Sequence, residues 1–294
     1  MERIEHKKLL EASVHFGHLR RKWNPKMLPY IFGEKKGIHI IDLNRTADKL
    51  EEAAAAAKSI AKSGRKIMFV ATKKQAKEVV KAAAQRVNMP FVTERWLGGM
   101  LTNFTTIRKS IKKMQSIEKM LNDGTLESVT KKEKLVLSRE RDKMDKVLGG
   151  VASMNRVPAA LFLVDIMHEN IALKEAQRLN INTFGIVDTN SDPTRVDFAI
   201  PGNDDAATSI AILTNYIADA IAEGLAERAA SQEGIDQDEE DNNDDNRFDD
   251  NFGDDEVTEK DGKPKDGAAR GKKRTGTGGG GQGRARTKGP ARKV

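Results

Sequence analysis

Ala160-Leu161-Phe162-Leu163-Val164-Asp165 is the stretch that decides the fold, because five apolar residues follow one another and end at a carboxylate. Lys66-Ile67-Met68-Phe69-Val70-Ala71 and Thr183-Phe184-Gly185-Ile186-Val187-Asp188 repeat this apolar pattern. Strands this apolar are typical of a sheet that helices cover on both faces. Shorter strands are predicted at residues 90–92 and 198–200, and helices over residues 47–62, 75–86, 169–179 and 206–227. The alternation predicts an α/β fold with a doubly wound parallel sheet.

Residues 103–148 interrupt this alternation with two amphipathic helical patterns. Apolar residues spaced by three or four form one seam, namely Phe104, Ile107, Ile111, Met114, Ile117 and Leu121. Residues 122–125 are a predicted turn, and a second charged helix is predicted over residues 131–148. The pattern predicts an αα-hairpin, a short coiled coil inserted into an α/β domain of residues 1–102 and 149–230. The lysines of the hairpin are typical of a solvated helix face, and contact with a polyanion is the alternative.

The composition changes near residue 231. Residues 233–256 carry about 13 acidic side chains and one basic one, whereas residues 257–294 carry about 12 basic and three acidic ones. Such a segment buries too little apolar surface to offset the entropy of ordering, so residues 231–294 are predicted to be a disordered, acidic-then-basic tail. Residues 1–232 then carry a net charge of about +10. This excess favours a polyanionic partner, and a lysine-rich solvated surface is the alternative interpretation.

The composition also disfavours several classes of protein. The chain contains no cysteine, which excludes a disulfide framework and thiolate metal sites. Its longest apolar stretches, such as residues 159–164, are far shorter than the roughly 20 residues of a membrane helix. No apolar core of a signal peptide follows Met1-Glu2-Arg3. We therefore expect a soluble, cytoplasmic protein that does not contact a membrane.

The predicted strand ends carry polar residues at the place where a doubly wound sheet binds nucleotides. However, no Gly-x-Gly-x-x-Gly follows a predicted strand, no Walker-type Gly-Lys-Ser/Thr is present, and Gly98-Gly99 is a lone pair. The Gly-x-Ser-x-Gly elbow of serine hydrolases is also missing. We therefore predict that the chain is not an enzyme, has no cofactor and takes no small-molecule substrate.

A metal site stays open at this point. His15 and His18 flank Phe16-Gly17, and Gly17 is predicted to end the first helix. The Asp-rich loops add further carboxylates, at Asp188, Asp192, Asp204 and Asp205. A zinc site needs three or four convergent ligands, and the spacing nominates only the two histidines. No metal ligand is therefore assigned from the sequence.

Three segments carry a pattern that favours RNA. In residues 15–27 basic residues alternate with aromatic and turn residues. Residues 30–41 are predicted to form a β-hairpin with two lysines at its tip. Arg and Lys pair with phosphates, while Trp23 and Phe16 either stack on exposed bases or anchor the segment to the core. Residues 95–104 join the sheet to the αα-hairpin, and their glycines indicate a close backbone approach.

Five blocks in these segments and in the Asp-rich loops carry a family resemblance. They are His15-Phe16-Gly17-His18, Trp23-Asn24-Pro25-Lys26-Met27, Arg95-Trp96-Leu97-Gly98-Gly99-Met100-Leu101-Thr102-Asn103, Gly185-Ile186-Val187-Asp188-Thr189-Asn190-Ser191-Asp192-Pro193 and Ile200-Pro201-Gly202-Asn203-Asp204-Asp205-Ala206. Over residues 4–228 the chain resembles the bacterial form of the second small-subunit ribosomal protein, the universal S-two family. The resemblance implies a flavodoxin-like α/β/α domain with an inserted coiled-coil hairpin and no enzymatic role.

The same resemblance implies a position between the head and the body of the small ribosomal subunit. The implied partners are small-subunit ribosomal RNA and other small-subunit proteins, including S-one, the large multi-domain protein that delivers messenger RNA. The implied RNA contacts are Arg20, Arg21, Lys22, Trp23 and Lys26, then Lys35, Lys36, Lys73, Lys74 and Arg95, and last Lys109, Lys112 and Lys113.

The tail departs from this resemblance, because family members end soon after the last helix, near Glu227. We hypothesise that its basic end, residues 270–293, contacts ribosomal or messenger RNA, and a solvated tail without a defined contact is the alternative. Two other functions stay open: a free nucleic-acid-binding regulator, and a nucleotide-dependent enzyme with a ligand near Asp165 and Asp188.

Overall fold

The structure, a computed structural model, describes residues 3–123 and 130–245, with side chains described as far as residue 231. In chain order the elements are α1 (His6–Glu11), β1 (Phe16–Leu19), β2 (Ile31–Lys35), β3 (Ile38–Ile41), α2 (Leu43–Lys62), β4 (Ile67–Val70), α3 (Lys77–Arg86), β5 (Phe91–Val92), α4 (Phe104–Asn122), α5 (Lys131–Leu148), β6 (Ala160–Val164), α6 (Asn170–Arg178), β7 (Asn182–Val187), β8 (Phe198–Pro201) and α7 (Ala207–Asp245). Short 3-10 turns lie at Arg20–Lys22, Pro25–Tyr30, Gly149–Val151 and Pro193–Arg195.

The main sheet has five parallel strands in the order β5-β4-β6-β7-β8. Successive residues of β4 point into opposite layers: Phe69 packs with α2, α3 and α7, whereas Met68 packs with α6 and the bases of α4 and α5. Across the β4–β6 pair the rings of Phe69 and Phe162 lie 5.3 Å apart. The predicted doubly wound α/β sheet is therefore confirmed, and its strand order is that of the flavodoxin-like fold. Its switch point lies between β4 and β6.

A second, antiparallel sheet of order β1-β3-β2 precedes the main one. The predicted hairpin is present as β2 and β3, and Lys36 and Gly37 at its tip both have positive φ angles, 53° and 77°. Two such residues in a row are what a type I′ turn requires. The tip therefore holds Lys35 and Lys36 in a defined position.

The prediction that Gly17 ends the first helix is wrong. Helix α1 ends at Glu11, Ser13 follows in the left-handed region with φ 61°, and Gly17 lies inside β1. The glycine is needed for a different reason. A Cβ at this position would lie 2.6 Å from the Thr189 side chain, so only glycine lets β1 approach the loop after β7.

The two helices of the predicted αα-hairpin are present as α4 and α5, which pack against each other. Ile107, Ile111, Met114 and Ile117 are buried along the seam. Thr130 caps α5 by accepting a hydrogen bond from the Glu133 amide. The predicted turn over residues 122–125 lies partly outside the described residues, which resume at residue 130.

Helix α7 extends beyond its predicted end at residue 227 and continues to Asp245, so the predicted boundary at residue 231 falls inside a helix. The added residues begin with Arg228, Ala229 and Ala230, which favour helix. The prediction of disorder for the rest of the tail concerns residues 246–294, which lie outside the described residues. Within residues 3–123 and 130–245, no helix combines the length and apolar character that a membrane crossing requires.

Candidate functional site

Five exposed basic residues gather at the junction of the N-terminal segment and the β2–β3 hairpin. The Arg20 amide donates to the Gly37 carbonyl at 2.9 Å, so the 3-10 turn of Arg20–Lys22 lies beside the hairpin tip. Arg20 forms an ion pair with Glu34 at 3.2 Å, and both groups stay accessible. The charge of Lys22 helps to lower the pKa of Asp205. We call residues 15–27 the arm. The arm–hairpin surface consists of five residues: Arg20, Arg21, Lys22, Lys35 and Lys36.

Trp23 anchors this surface to the protein. Its ring lies 5.3 Å from the ring of the buried His39 on β3, at an interplanar angle of 45°. The indole is only half-buried, and it lines a shallow groove of about 700 Å³ with Leu19, Arg20 and Glu34. Phe16 is 43% exposed and packs against His15. Trp23 thus anchors the arm and keeps an accessible edge beside the arginines.

Two of the predicted RNA contacts, Lys26 and Lys73, form ion pairs that tie them to the carboxyl edge of the sheet. Lys26 donates to Asp192 at 2.6 Å and to Thr194 at 3.2 Å, which ties the arm to the loop after β7. Lys73 is half-buried and its ammonium is enclosed by carboxylates. Its ammonium is therefore poorly placed to meet a phosphate.

The other predicted lysines and Arg95 are exposed and belong to elements other than the arm and the hairpin. Lys74 follows β4, and Arg95 follows β5, so both lie at the carboxyl edge of the sheet. Lys109, Lys112 and Lys113 lie on the outer face of α4, where Lys113 pairs with Glu140 of α5. The structure thus brings together five of the thirteen predicted residues into one compact basic surface.

A polar cluster fills the carboxyl edge of the sheet at its switch point. Lys73 follows β4, and its Nζ lies 3.1 Å from Asp165 after β6 and 2.8 Å from Asp204 after β8. The carboxylate of Asp205 is the third partner of this ammonium, at 2.6 Å from Lys73 Nζ. Burial opposes the charge of Lys73, but the hydrogen bonds to Asp204 and Asp205 outweigh it and raise the pKa of the ammonium. Lys73 is one ammonium against three carboxylates, so it offsets only part of their negative charge.

Asp204 is the most perturbed carboxyl of this cluster. Burial, together with repulsion from Asp188 and Asp165, raises its pKa to about 7 in spite of Lys73. Its Oδ2 atom is buried and has no hydrogen-bond partner within the described structure. His18 Nδ1 lies 2.8 Å from Asp188 Oδ2, and this interaction raises the pKa of the imidazole.

His18, Asp188 and Asp204 each offer one donor atom, and these atoms lie within 4.8 Å of one another. An imidazole with two carboxylates is a donor set that divalent metals such as zinc accept. Neither His15 nor Asp192 belongs to this group. Within this group Asp204 already has a cationic partner in the protein, the ammonium of Lys73.

Sequence reasoning missed Glu175, which organises the loop between β5 and α4. The carboxylate is buried on α6 and accepts hydrogen bonds from five donors in residues 96–102. Burial raises its pKa, but the hydrogen bonds from Trp96 and the backbone amides outweigh this and lower it. The sequence signal was weak, since a Glu among polar residues of a helix predicts solvent exposure.

Together, these features define the class as a doubly wound α/β protein with a filled switch point and an exposed basic surface. A family model described as Ribosomal protein S2 matches residues 9–224. The chain therefore belongs to the ribosomal protein S2 family, and the prediction of a structural, non-enzymatic protein agrees with this membership.

Individual relatives agree with the family model. The chain is 62% identical over 232 residues to the small ribosomal subunit protein uS2 of Cytophaga hutchinsonii, a match that covers 79% of this chain and 91% of the relative. For the uS2 protein of Bacteroides thetaiotaomicron the identity is 60%, with coverages of 79% and 84%. The uS2 protein of Flavobacterium johnsoniae is 59% identical, with coverages of 79% and 91%. About a fifth of this chain lies outside each match.

Proposed function

We propose that this chain is a structural constituent of the small ribosomal subunit that binds ribosomal RNA through the arm–hairpin surface, in the cytoplasm and without catalysis. The observation that carries the proposal is the compact group of five exposed basic side chains that form the arm–hairpin surface. Each phosphate that such a base neutralises releases counterions and adds affinity. Family membership supplies the class of partner.

The arm is suited to this role because it is braced on both sides. The Asn24 amide donates to the Thr189 carbonyl at 2.8 Å, and the Ile41 amide donates to the His15 carbonyl at 2.8 Å. These hydrogen bonds hold the segment before and after Arg20–Lys22. Because the arginine and lysine side chains of the arm are attached to a fixed backbone, less conformational entropy is lost when they bind RNA.

The remaining predicted contacts are secondary in this proposal. Lys74 and Arg95 at the carboxyl edge, and Lys109 and Lys112 on α4, are exposed and add positive charge outside the arm–hairpin surface. Lys113 shares its charge with Glu140. Trp23 and Lys26 support the arm by packing and by ion pairing. Lys73 contributes to the stability of the sheet edge instead.

We further propose that this protein lies between the head and the body of the subunit and helps to dock S-one. The support is the family resemblance, together with apolar side chains that the arm and hairpin leave exposed. Phe32 is 80% exposed and Leu28 is 64% exposed, and both lie within three residues of Pro29. Exposed aromatic and aliphatic groups next to bases are typical of a surface that takes a protein partner as well as RNA.

The alternative of a nucleotide-dependent enzyme has little support from the site. A nucleotide would have to enter the switch point between β4 and β6, where Lys73 and its carboxylate partners are packed. Carboxylates there repel a phosphate.

The basic end of the tail, residues 270–293, remains a proposed RNA contact. Deletion of residues 233–294, followed by measurement of subunit assembly, would test it.

The arm is tested by replacing Arg20, Arg21 and Lys22 with alanine in the full chain. We expect the variant to enter small subunits poorly on sucrose gradients. The slope of log binding constant against log salt should become shallower by about 2–3, since each lost phosphate contact contributes about 0.7–0.9.

A matched control removes three exposed bases from helix surfaces far from the arm, namely Lys81, Lys174 and Arg178. This control should enter subunits normally. Normal incorporation of the arm variant, at a salt tolerance equal to that of the control, would contradict the proposal.

A further inference from the structure

A basic groove lies at the edge of the main sheet opposite to the Lys73 cluster. It is formed where the chain enters β4, β5 and β6, and its volume is about 560 Å³. We call it the amino-edge groove and define it by Arg65, Lys66, Pro90, Ser153, Asn155 and Arg156. Because the strands are parallel, their amino ends meet at this one edge, which explains why residues so distant in sequence line it.

The groove has a charge of one sign. Arg65, Lys66 and Arg156 line it, no acidic residue does, and none of the three has an ion-pair partner among residues 3–123 and 130–231. A fourth base stands at the rim, since the guanidinium of Arg228 packs over Gly64. By contrast, Lys62 is paired with Glu227 at 3.1 Å.

The positions of these bases are set by hydrogen bonds that leave charge available. Lys66 Nζ donates to the Asn88 carbonyl at 2.9 Å, and Arg65 Nε donates to Ser63 Oγ at 2.9 Å. Arg108 at the base of α4 donates to the Asn155 carbonyl at 3.3 Å and thereby holds the loop that carries Arg156. The guanidinium of Arg65 keeps its other N–H groups free to make a bidentate hydrogen-bonded contact with a phosphate.

We propose that the amino-edge groove is a second RNA-binding surface, which takes the ribose-phosphate backbone independently of the arm. This inference rests on the proposed function, since it takes ribosomal RNA as the polyanion. The lining favours a nucleic-acid backbone, because Met154 and Val157 add apolar surface next to the guanidiniums and Ser153 adds a hydroxyl. The backbone of a nucleic acid likewise alternates sugars, which offer apolar surface and hydroxyls, with charged phosphates.

The first test replaces Arg65 and Arg156 with alanine in the full chain and measures binding to labelled small-subunit ribosomal RNA over a range of salt. The slope of log binding constant against log salt should become shallower by about 1.4–1.8, which corresponds to two lost phosphate contacts. Arg65→Lys with Arg156→Lys keeps the charge and should retain most of the slope. Lys81→Ala with Lys174→Ala removes the same charge from exposed helix positions and should leave the slope unchanged.

The second test uses the absence of cysteine from this chain, because one introduced thiol gives one site of attachment. A hydroxyl-radical-generating iron chelate is attached to Ser153→Cys, and the labelled protein is assembled into small subunits. We expect cleavage of ribosomal RNA near this position, and none from the control Lys81→Cys, which lies exposed on α3. This readout is independent of affinity.

The outcomes separate the two proposals. If the arm variant loses RNA binding while the groove variant does not and Ser153→Cys gives no cleavage, the groove proposal is wrong and the proposed function stands. If neither variant changes RNA binding, the proposed function fails as well. Tighter binding of poly-L-glutamate than of RNA, lost in the groove variant, would overturn the inference by showing that an acidic polypeptide is the partner.

Discussion

The substitution Glu175→Gln tests whether one buried carboxylate holds the loop between β5 and α4. Oε1 accepts hydrogen bonds from Trp96 Nε1 and the Gly99 amide, and Oε2 accepts from the Leu101 amide and from the amide and hydroxyl of Thr102. A glutamine has almost the same shape but offers one acceptor oxygen and one NH2 donor. In either orientation of the amide, at least two donors of the loop then face another donor.

The size of the effect follows from these donors. A buried donor without an acceptor costs about 1–3 kcal/mol, so the substitution should lower the free energy of unfolding by about 2–6 kcal/mol. This is a large share of the about 5–15 kcal/mol that stabilises a typical protein. Urea denaturation followed by tryptophan fluorescence measures the loss, since Trp96 is one of the two tryptophans. Glu118→Gln on the exposed face of α4 is the control, and its effect should stay within about 0.5 kcal/mol.

The same carboxylate predicts a pH dependence. Hydrogen bonds outweigh burial and hold the pKa of Glu175 below its ordinary value of 4.5. A carboxyl with a lowered folded pKa contributes stability above the unfolded pKa and loses it as the pH falls through the folded value. The difference between the wild type and Glu175→Gln should therefore shrink on acidification below pH 4.5. A loss of under about 1 kcal/mol at neutral pH, or a difference that acid leaves unchanged, would refute the reasoning.

Three other substitutions test the fold and the polar cluster. Gly17→Ala should lower the free energy of unfolding by about 1–3 kcal/mol, because its Cβ would lie 2.6 Å from the Thr189 side chain; an unchanged urea midpoint would contradict this. Ile117→Ala should destabilise the αα-hairpin by about 2–5 kcal/mol, and unchanged hydrogen-exchange protection of α4 would count against it. The pKa of Asp204 is raised to about 7, so the stability of the wild type relative to Asp204→Asn should fall as the pH rises from 3.8 through about 7; a constant difference would disprove the assignment.

The main sheet and the hairpin insertion were predictable because their signals are local. Residues 160–164 are apolar throughout, so only a strand buried on both faces fits them, and β6 has these bounds. The three-to-four spacing from Phe104 to Ile117 likewise decided the buried seam of α4. The β2–β3 hairpin was predicted over residues 30–41 with two lysines at its tip, and the structure adds the turn at Lys36 and Gly37.

Strand β1 and the role of Glu175 were not predictable, because their signals are non-local. Residues 16–19 become a strand only by pairing with β3, about twenty residues further along the chain. Glu175 is buried only because a loop more than seventy residues earlier folds onto α6. Lys73 and Lys74 are neighbours of the same type, yet one is enclosed by carboxylates and the other is exposed. Tertiary contacts alone decide between them.

The polar cluster explains why the proposed RNA-binding role leaves the usual ligand crevice of this fold unused. A doubly wound sheet normally binds its ligand at the switch point, here between β4 and β6. Lys73 bridges that gap to Asp165, and Asp204 closes it from β8, so an internal ion pair occupies the position of a ligand's charge. The arm–hairpin surface, which we propose for RNA, belongs instead to elements that precede β4, and the amino-edge groove lies at the opposite edge of the sheet. Because the Asn24–Thr189 hydrogen bond and the packing of Gly17 against Thr189 join those elements to the loop after β7, the filled crevice serves as the rigid base on which the basic arm is held.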